Sequence, residues 1–339
     1  MEAHDDARPL SVEQARPTLA AVARLAGVST ATASRVLNRS AKVSGSALSR
    51  VEQAVRELGY VRQRAPGGAR GSGAVSVVVF DDMRHYQADS FYARVLLGAE
   101  RAALRAGREL VVLTALRRSP RDSLLRFLCG GHVDAVVMVG LRADDTPARL
   151  VRAAGVPVTC IGRPPDALDL PYVDADNEGG ALRAVRHLAE QGRGTITTIA
   201  GPRDMTVAAD RLRGYQRAMA ELDTPELVGR GEFTMTSGEH AMLRLLDRCP
   251  GMDAVFAASD LMAAGALRAL RGRGLRVPDD VAVLGFDDAA LARCTAPLLS
   301  TVRQPVEDMG AVAVAGLLDA AGPAQRVIMP TTLVLRESA

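Results

Sequence analysis

Residues 22–38 read Val22-Ala23-Arg24-Leu25-Ala26-Gly27-Val28-Ser29-Thr30-Ala31-Thr32-Ala33-Ser34-Arg35-Val36-Leu37-Asn38, a pattern of two short helices meeting at a tight turn. Leu19, Val22, Ala23 and Ala26 recur at spacings of three and four, so they share one helix face. Gly27 tolerates the left-handed backbone that ends a helix, and Val28 closes the corner with an apolar contact. Ser29 is a residue type that caps a second helix. In that helix Ala33, Val36 and Leu37 face back, while Thr30, Ala31, Ser34 and Arg35 face out. Small Ala23 and Ala33 permit the close, wide-angle crossing of a helix-turn-helix, whose outward row addresses bases and phosphates.

The same spacing also fits an Ala-rich helical hairpin buried in a larger bundle, and charge separates the two. From Thr18 to Ser72, nine Lys and Arg stand against Glu52 and Glu57, a balance of about +7 in a chain whose net charge is +3. Beyond Ser72 the balance is slightly acidic. Positive charge is therefore concentrated where contact with a phosphate backbone requires it.

With Val43-Ser44 and Glu57-Leu58-Gly59-Tyr60 following, this region resembles the DNA-binding headpiece of the lactose-repressor (LacI/GalR) family. The resemblance implies an all-α headpiece over residues 18–61 and double-stranded operator DNA as partner. It implies a third helix capped by Ser44 and running to about Leu58, with Leu48, Val51, Val55 and Leu58 on its core face. Thr30 and Ala31 match the positions that vary with operator sequence, and Ser29, Thr32, Ser34, Arg35 and Asn38 match common DNA contacts. Ala31 has no hydrogen-bonding group, so readout there is apolar, for instance against a thymine methyl.

A chain of 339 residues suits a small headpiece followed by a two-lobed body. Residues 1–17 mix acids, Arg and Pro without periodicity and read as a disordered extension. Residues 62–73 are dense in Gly and Pro and read as a hinge linker. The G-x-G string there precedes a strand instead of following one, which argues against a phosphate loop. No run approaches the roughly 20 apolar residues of a membrane span. No apolar signal core precedes Pro17, so a cytoplasmic, nucleoid-associated location is expected. The four cysteines are scattered without metal or redox spacing, and no metal or cofactor is expected.

Beyond the linker, short apolar runs alternate with amphipathic helices, from Val75–Phe80 through Val281–Gly285. Strictly alternating βαβ units predict two doubly wound parallel sheets with helices on both faces. The body resembles the same family through Phe91-Tyr92, Val173-Asp174-Ala175-Asp176-Asn177, Arg211-Leu212-Arg213-Gly214-Tyr215, Ala258-Ser259-Asp260-Leu261-Met262-Ala263, Val277-Pro278-Asp279-Asp280-Val281 and Gly285-Phe286-Asp287-Asp288. That likeness implies a periplasmic-binding-protein-like, effector-binding and dimerising body over 74–337. Its chain crosses between lobes near 172–174, 301–303 and 330–332. The N-lobe is then about 74–172 plus 302–330, and the C-lobe about 173–301 plus 331–337.

Ligands of open α/β sheets bind at the carboxyl ends of strands, which places the expected pocket between the lobes. Arg211 and Asp287 fall at such ends, and a guanidinium with a carboxylate can grip hydroxyls or carbonyls. Spacing alone fits an inter-lobe salt bridge or a solvated pair equally well. The family likeness assigns both to effector binding, with Phe91, Tyr92 and Phe233 as stacking faces and Asp176 and Ser259 as polar contacts. Core packing is the alternative for each aromatic. Ser259 stands where the family often has Asn, so the ligand class is not borrowed from the family.

The hinge departs from the family. Arg62-Gln63 replace the usual Pro-Asn, Ala69 takes the place of an intercalating leucine, and Pro66-Gly67-Gly68 interrupt the helix. Gly costs about 1 kcal/mol and Pro about 3 kcal/mol within a helix, so little minor-groove wedging is expected, although Arg62 and Arg64 can lie along phosphates. The expected protein is a homodimeric repressor on a palindromic operator, controlled by a small metabolite of sugar type. A transport sugar-binding module would need a signal peptide and no basic headpiece. An enzyme would need a nucleophile triad, metal cluster or phosphate loop, and only five histidines are available.

Overall fold

The computed structural model describes residues 18–37, 44–58, 72–81, 90–116, 121–143, 147–165, 168–319 and 326–339. The N-terminal extension, Asn38, Arg62, Arg64 and nearly all of the hinge linker lie outside these. The chain divides into two compact units, residues 1–66 and 67–339.

The first unit holds α1 (Leu19–Leu25), α2 (Thr30–Leu37) and α3 (Gly45–Leu58). Gly27 has φ +62°, the Val28 N–H donates to the Ala23 carbonyl at 3.0 Å, and the Gly27 N–H donates to Arg24 at 3.2 Å. This paired return is how a left-handed glycine satisfies the last carbonyls of a helix. The Ser29 hydroxyl accepts from the Thr32 N–H at 3.1 Å, capping α2. Val22, Ala23, Ala26, Ala33, Val36, Val51 and Ala54 form the core. Leu48 corrects the expectation for α3: it is 42% exposed, while Ala47 is buried. The Ala47, Val51, Ala54 and Leu58 row faces inward, and Leu48 lies about 100° round the helix from it.

The second unit follows the chain through β1 (Ala74–Val79), α4 (Ser90–Arg105), β2 (Glu109–Thr114), α5 (Asp122–Cys129), β3 (Ala135–Val139), α6 (Pro147–Ala153), β4 (Val158–Ile161) and β5 (Tyr172–Ala175). It continues through α7 (Asn177–Glu190), β6 (Ile196–Ala200), α8 (Thr206–Glu221), β7 (Val228–Arg230), α9 (Met235–Arg248), β8 (Ala254–Ala257), α10 (Asp260–Gly272), β9 (Ala282–Asp287) and β10 (Ser300–Arg303). It closes with α11 (Val306–Leu318), β11 (Arg326–Met329) and β12 (Thr332–Val334). One sheet has the order β2-β1-β3-β4-β5-β11 and the other β7-β6-β8-β9-β10-β12. Each sheet separates two apolar layers built from its own helices. Buried on both faces, β3 and β8 read as unbroken apolar runs rather than alternating ones, and β1 is broken only by the buried Ser76.

The first sheet is parallel throughout. The second is not, because β12 runs antiparallel to β10. Only Pro330 and Thr331 separate β11 from β12, so no crossover helix turns the chain round between them. The first two crossings also fall later than expected. Tyr172–Asp174 and Thr301–Arg303 pair within β5 and β10, leaving the passages to Asp176 and to Gln304-Pro305. Helix α11, with no clear polar face, was not foreseen as a helix. It packs against α4 so closely that a Cβ on Gly98 would stand 1.7 Å from the Glu307 carbonyl oxygen.

Candidate functional site

On the headpiece, Thr30, Ala31 and Arg35 are exposed along one side of α2, with Ser34 half-buried beside them. Ser29 is exposed at its start, and Thr32 is half-buried with its hydroxyl 2.9 Å from that of Ser29. Arg24 and Arg50 are also exposed on this unit. None of the three exposed α2 residues contributes to the apolar core, so this face is available to a partner while the buried face holds the unit together.

In the second unit, strand ends of both lobes converge on a cavity of about 570 Å³ including its open mouth. The N-lobe contributes Phe91 and Tyr92 from α4, Gly140 and Gly162 after β3 and β4, and Asp174 from β5. The C-lobe contributes Met205, Val207 and Arg211 around α8, Phe233 after β7, Ser259 after β8 and Asp287 ending β9, with Gln304 at the second crossing. Six of the seven expected effector residues therefore meet there. A smaller adjoining cavity shares Gly140, Ile161, Gly162, Met205 and Val207 and extends past Leu141, Arg163 and Thr206.

Asp176 is the exception. Its carboxylate accepts from the Gly179 N–H at 2.9 Å, capping α7 as the chain changes lobes. Asp174, two residues earlier, lines the cavity instead. Its carboxylate accepts from Asn177 Nδ2 and from the Ala175 N–H, both at 2.8 Å, and from the Arg163 N–H at 2.9 Å. Burial pushes this carboxyl above its ordinary range, against the pull of those N–H groups. An acid inside an otherwise apolar strand was the signal that would have found it. Gln304, Met205, Val207 and Met309 carried no comparable mark.

Arg211 is 5% exposed and Asp287 8%. Arg211 Nη1 lies 3.3 Å from Asp287 Oδ1 and donates to the Ala258 carbonyl at 2.6 Å, while Nε donates to Asn177 Oδ1 at 2.8 Å. The guanidinium sits 3.8 Å from the Phe286 ring centroid. Among the described residues nothing accepts from its Nη2, which leaves a donor for a ligand. Phe233 seats its ring where a Cβ on Gly201 would be, 2.5 Å from the ring edge. Phe91 and Tyr92 meet edge to face at 5.6 Å, and the Tyr92 hydroxyl donates to Asp81. Ser259 turns its hydroxyl to the Met262 N–H at 3.3 Å, capping α10.

Asp287 and Asp288 have φ of 117° and 47°, conformations that cost a non-glycine residue about 1–3 kcal/mol each. The Asp288 N–H donates to Thr301 Oγ1 and the Ala289 N–H to Asp260 Oδ2, which fixes the corner and aims the Asp287 carboxylate. Burial alone would raise the Asp288 carboxyl, but hydrogen bonds from Arg336 and Arg303 outweigh it and hold the group below its ordinary value. Asp260 is fully buried. Burial first, then repulsion from Asp287, pushes its carboxyl well above the usual range.

Residues 18–63 match the model of bacterial regulatory proteins of the lacI family, and residues 185–339 match a periplasmic binding protein-like domain. The chain is 42% identical over 337 residues to the HTH-type transcriptional regulator CelR of Thermobifida fusca, covering 95% of this chain and 98% of that protein. It is 33% identical over 314 residues to the HTH-type transcriptional repressor CytR of Escherichia coli strain K12, covering 91% and 90%. A solved CelR–cellobiose complex aligns with a TM-score of 0.77 at 41% identity, over 96% of this chain and 100% of that one. A lac repressor dimer bound to operator and the anti-inducer ONPF aligns with a TM-score of 0.70 at 27% identity, over 96% and 99%.

Proposed function

Because the chain belongs to the LacI family of bacterial regulatory proteins, we propose that it is a homodimeric repressor that binds a palindromic operator through α2 and answers to a short neutral saccharide held in the cleft. Ser29, Thr30, Ala31, Thr32, Ser34 and Arg35 form the proposed DNA face, with Asn38, Arg62 and Arg64 as further contacts. The observation that carries the effector reading is the buried Arg211–Asp287 pair in an aromatic-walled cavity, in a chain whose relative CelR has been solved with cellobiose. Arg211 is matched by Asp287, and Asp174 adds no positive charge in either protonation state, so the lining offers no net positive charge to a phosphate or carboxylate. Hydroxyls on a ring face suit such donors and such aromatic walls.

The adjoining smaller cavity supports a ligand longer than one ring, and cellobiose is the reference ligand. The cleft is read as a binding site and not a catalytic one: its serine hydroxyl caps a helix, and no histidine is among its described lining residues. An effector that prefers one lobe arrangement shifts operator affinity by about 5–150-fold for a coupling of about 1–3 kcal/mol.

Calorimetric titration with cellobiose, glucose and glucose 6-phosphate tests this reading, with operator binding followed by fluorescence anisotropy. Cellobiose is expected to bind at least about tenfold more tightly than glucose, a difference of about 1.4 kcal/mol, and the phosphate ester more weakly than either. Failure of every neutral saccharide to bind overturns the effector reading. Operator affinity that does not fall steeply with salt overturns the DNA face.

A further inference from the structure

Arg94 lies on α4 two residues beyond Tyr92, yet it is not among the cavity-lining residues. Its guanidinium is shared between the lobes. Nε and Nη2 donate to the Glu307 carboxylate at 2.7 and 3.0 Å, within the N-lobe. Nη1 donates to the main-chain carbonyl of Asp287 at 3.0 Å, and Nη2 reaches that of Gln304 at 3.4 Å. Gln304 completes a ring by donating from Nε2 to Asp287 Oδ1 at 2.6 Å. One arginine therefore grips the backbone of the cavity's acid and the backbone of the second crossing at once.

The carbonyl that Arg94 holds belongs to a corner with φ of 117° and 47° at successive aspartates. Such a corner persists only when its surroundings over-determine it, and here the carbonyl of Asp287 and the N–H groups of Asp288 and Ala289 are all bonded. Behind Arg94 the packing has no slack. A Cβ on Gly98 would stand 1.7 Å from the Glu307 carbonyl oxygen, and one on Gly310 would stand 2.2 Å from that of Val95. Backbones in such contact move together.

We propose that Arg94 is the positioning residue of the effector response, holding the Asp287–Asp288 corner so that the carboxylate faces the cavity and passing a change at Asp287 to α4, α11 and the second crossing. The proposal rests on the reading of the cleft as the effector site. It differs from a purely structural helix-to-helix tie, in which Arg94 serves only Glu307. Arg94→Gln removes the grip on both carbonyls, whereas Glu307→Gln removes the ion pair and leaves the carbonyl contacts in place. Arg94→Lys keeps the charge but lacks the fork needed for all acceptors, and its effect should lie between wild type and Arg94→Gln.

The full-length protein is the material for two measurements. Amide exchange on peptides spanning residues 286–290, without ligand, should rise about tenfold in Arg94→Gln and much less in Glu307→Gln. The change in operator affinity on adding cellobiose should shrink to under about twofold in Arg94→Gln and largely survive in Glu307→Gln. Wild-type exchange at the corner in Arg94→Gln, or equal effects of the two variants, overturns the proposal. Absence of any cellobiose response in the wild type instead overturns the effector reading, and the exchange measurement still decides the role of Arg94.

Discussion

The α2 face and the cleft place their functional groups in opposite settings. Thr30, Ala31 and Arg35 stand in solvent and leave the small core beneath them untouched, whereas Arg211 and Asp287 are buried and already bonded to the protein and to each other. In the first region recognition and folding are separable, because the groups that would meet DNA are not the groups that pack. In the second they are not, since the side chains that would meet a ligand also satisfy Asn177, Ala258 and Gln304.

The largest effect is therefore expected from Arg211→Ala. Removing one member of a buried pair takes a cation from beside the buried Asp287, and such losses cost about 3–5 kcal/mol. Denaturant unfolding of the body should register this alongside complete loss of saccharide binding. A variant that loses binding at wild-type stability would show that the cleft, too, separates recognition from folding.

Arg35→Ala should do the reverse. Operator affinity is expected to fall by about 1–3 kcal/mol, the worth of a good base-edge contact, while thermal stability changes by no more than about 0.5 kcal/mol, as for surface substitutions. Anisotropy and melting curves on the same preparation check both halves. A large drop in melting temperature would erase the contrast between the regions.

The smallest and most diagnostic effect concerns Asp260→Asn. A carboxyl whose folded-state pKa is raised favours the protonated fold. The stability it contributes is full below the ordinary carboxylate value of about 4 and declines as pH rises toward the folded value. Asparagine imitates the protonated acid, so the variant's melting temperature relative to wild type should be near zero difference at about pH 4 and grow more favourable toward neutrality. Asp288 and Glu307, whose carboxyls are lowered, stabilise in the opposite sense above that pH and cancel in the difference. A flat difference across the range would place the Asp260 proton outside the stability of the cleft.

Much of this was legible beforehand where spacing and residue type act locally. Gly27, Ser29 and the inward row of α1 and α2 were read correctly because each operates within one turn of chain. Strands such as β3 and β8 were legible because burial on both faces leaves an unbroken apolar run. Short β7, β10 and β12 escaped, since three or four residues carry little pattern and exist as strands only through their neighbours. Helix α11 escaped because small and apolar residues run all round it, with Ala315 and Gly316 even on its exposed side, which erases the stripe that marks a helix. Leu48 was misplaced by carrying the family likeness over position by position, when the crossing admitted Ala47. The exchange of Asp174 for Asp176 had the same origin: both are acids near a strand end, and only the point at which the chain leaves the sheet decides which one caps a helix and which one faces the cavity.

What the sequence by itself determined is whatever depends on chain neighbours: a basic helix-turn-helix, its turn made by a left-handed glycine and a capping serine, ahead of alternating βα units. What only the tertiary structure decided is whatever depends on partners distant in the chain. That set includes the antiparallel entry of β12, the Arg211–Asp287 pair across 76 positions of sequence, and the reach of Arg94 to a carbonyl 193 residues away. Hydrogen bonds and ion pairs act over a few ångströms, so such partners are chosen by how the lobes bring strand ends together, and no local pattern records that choice.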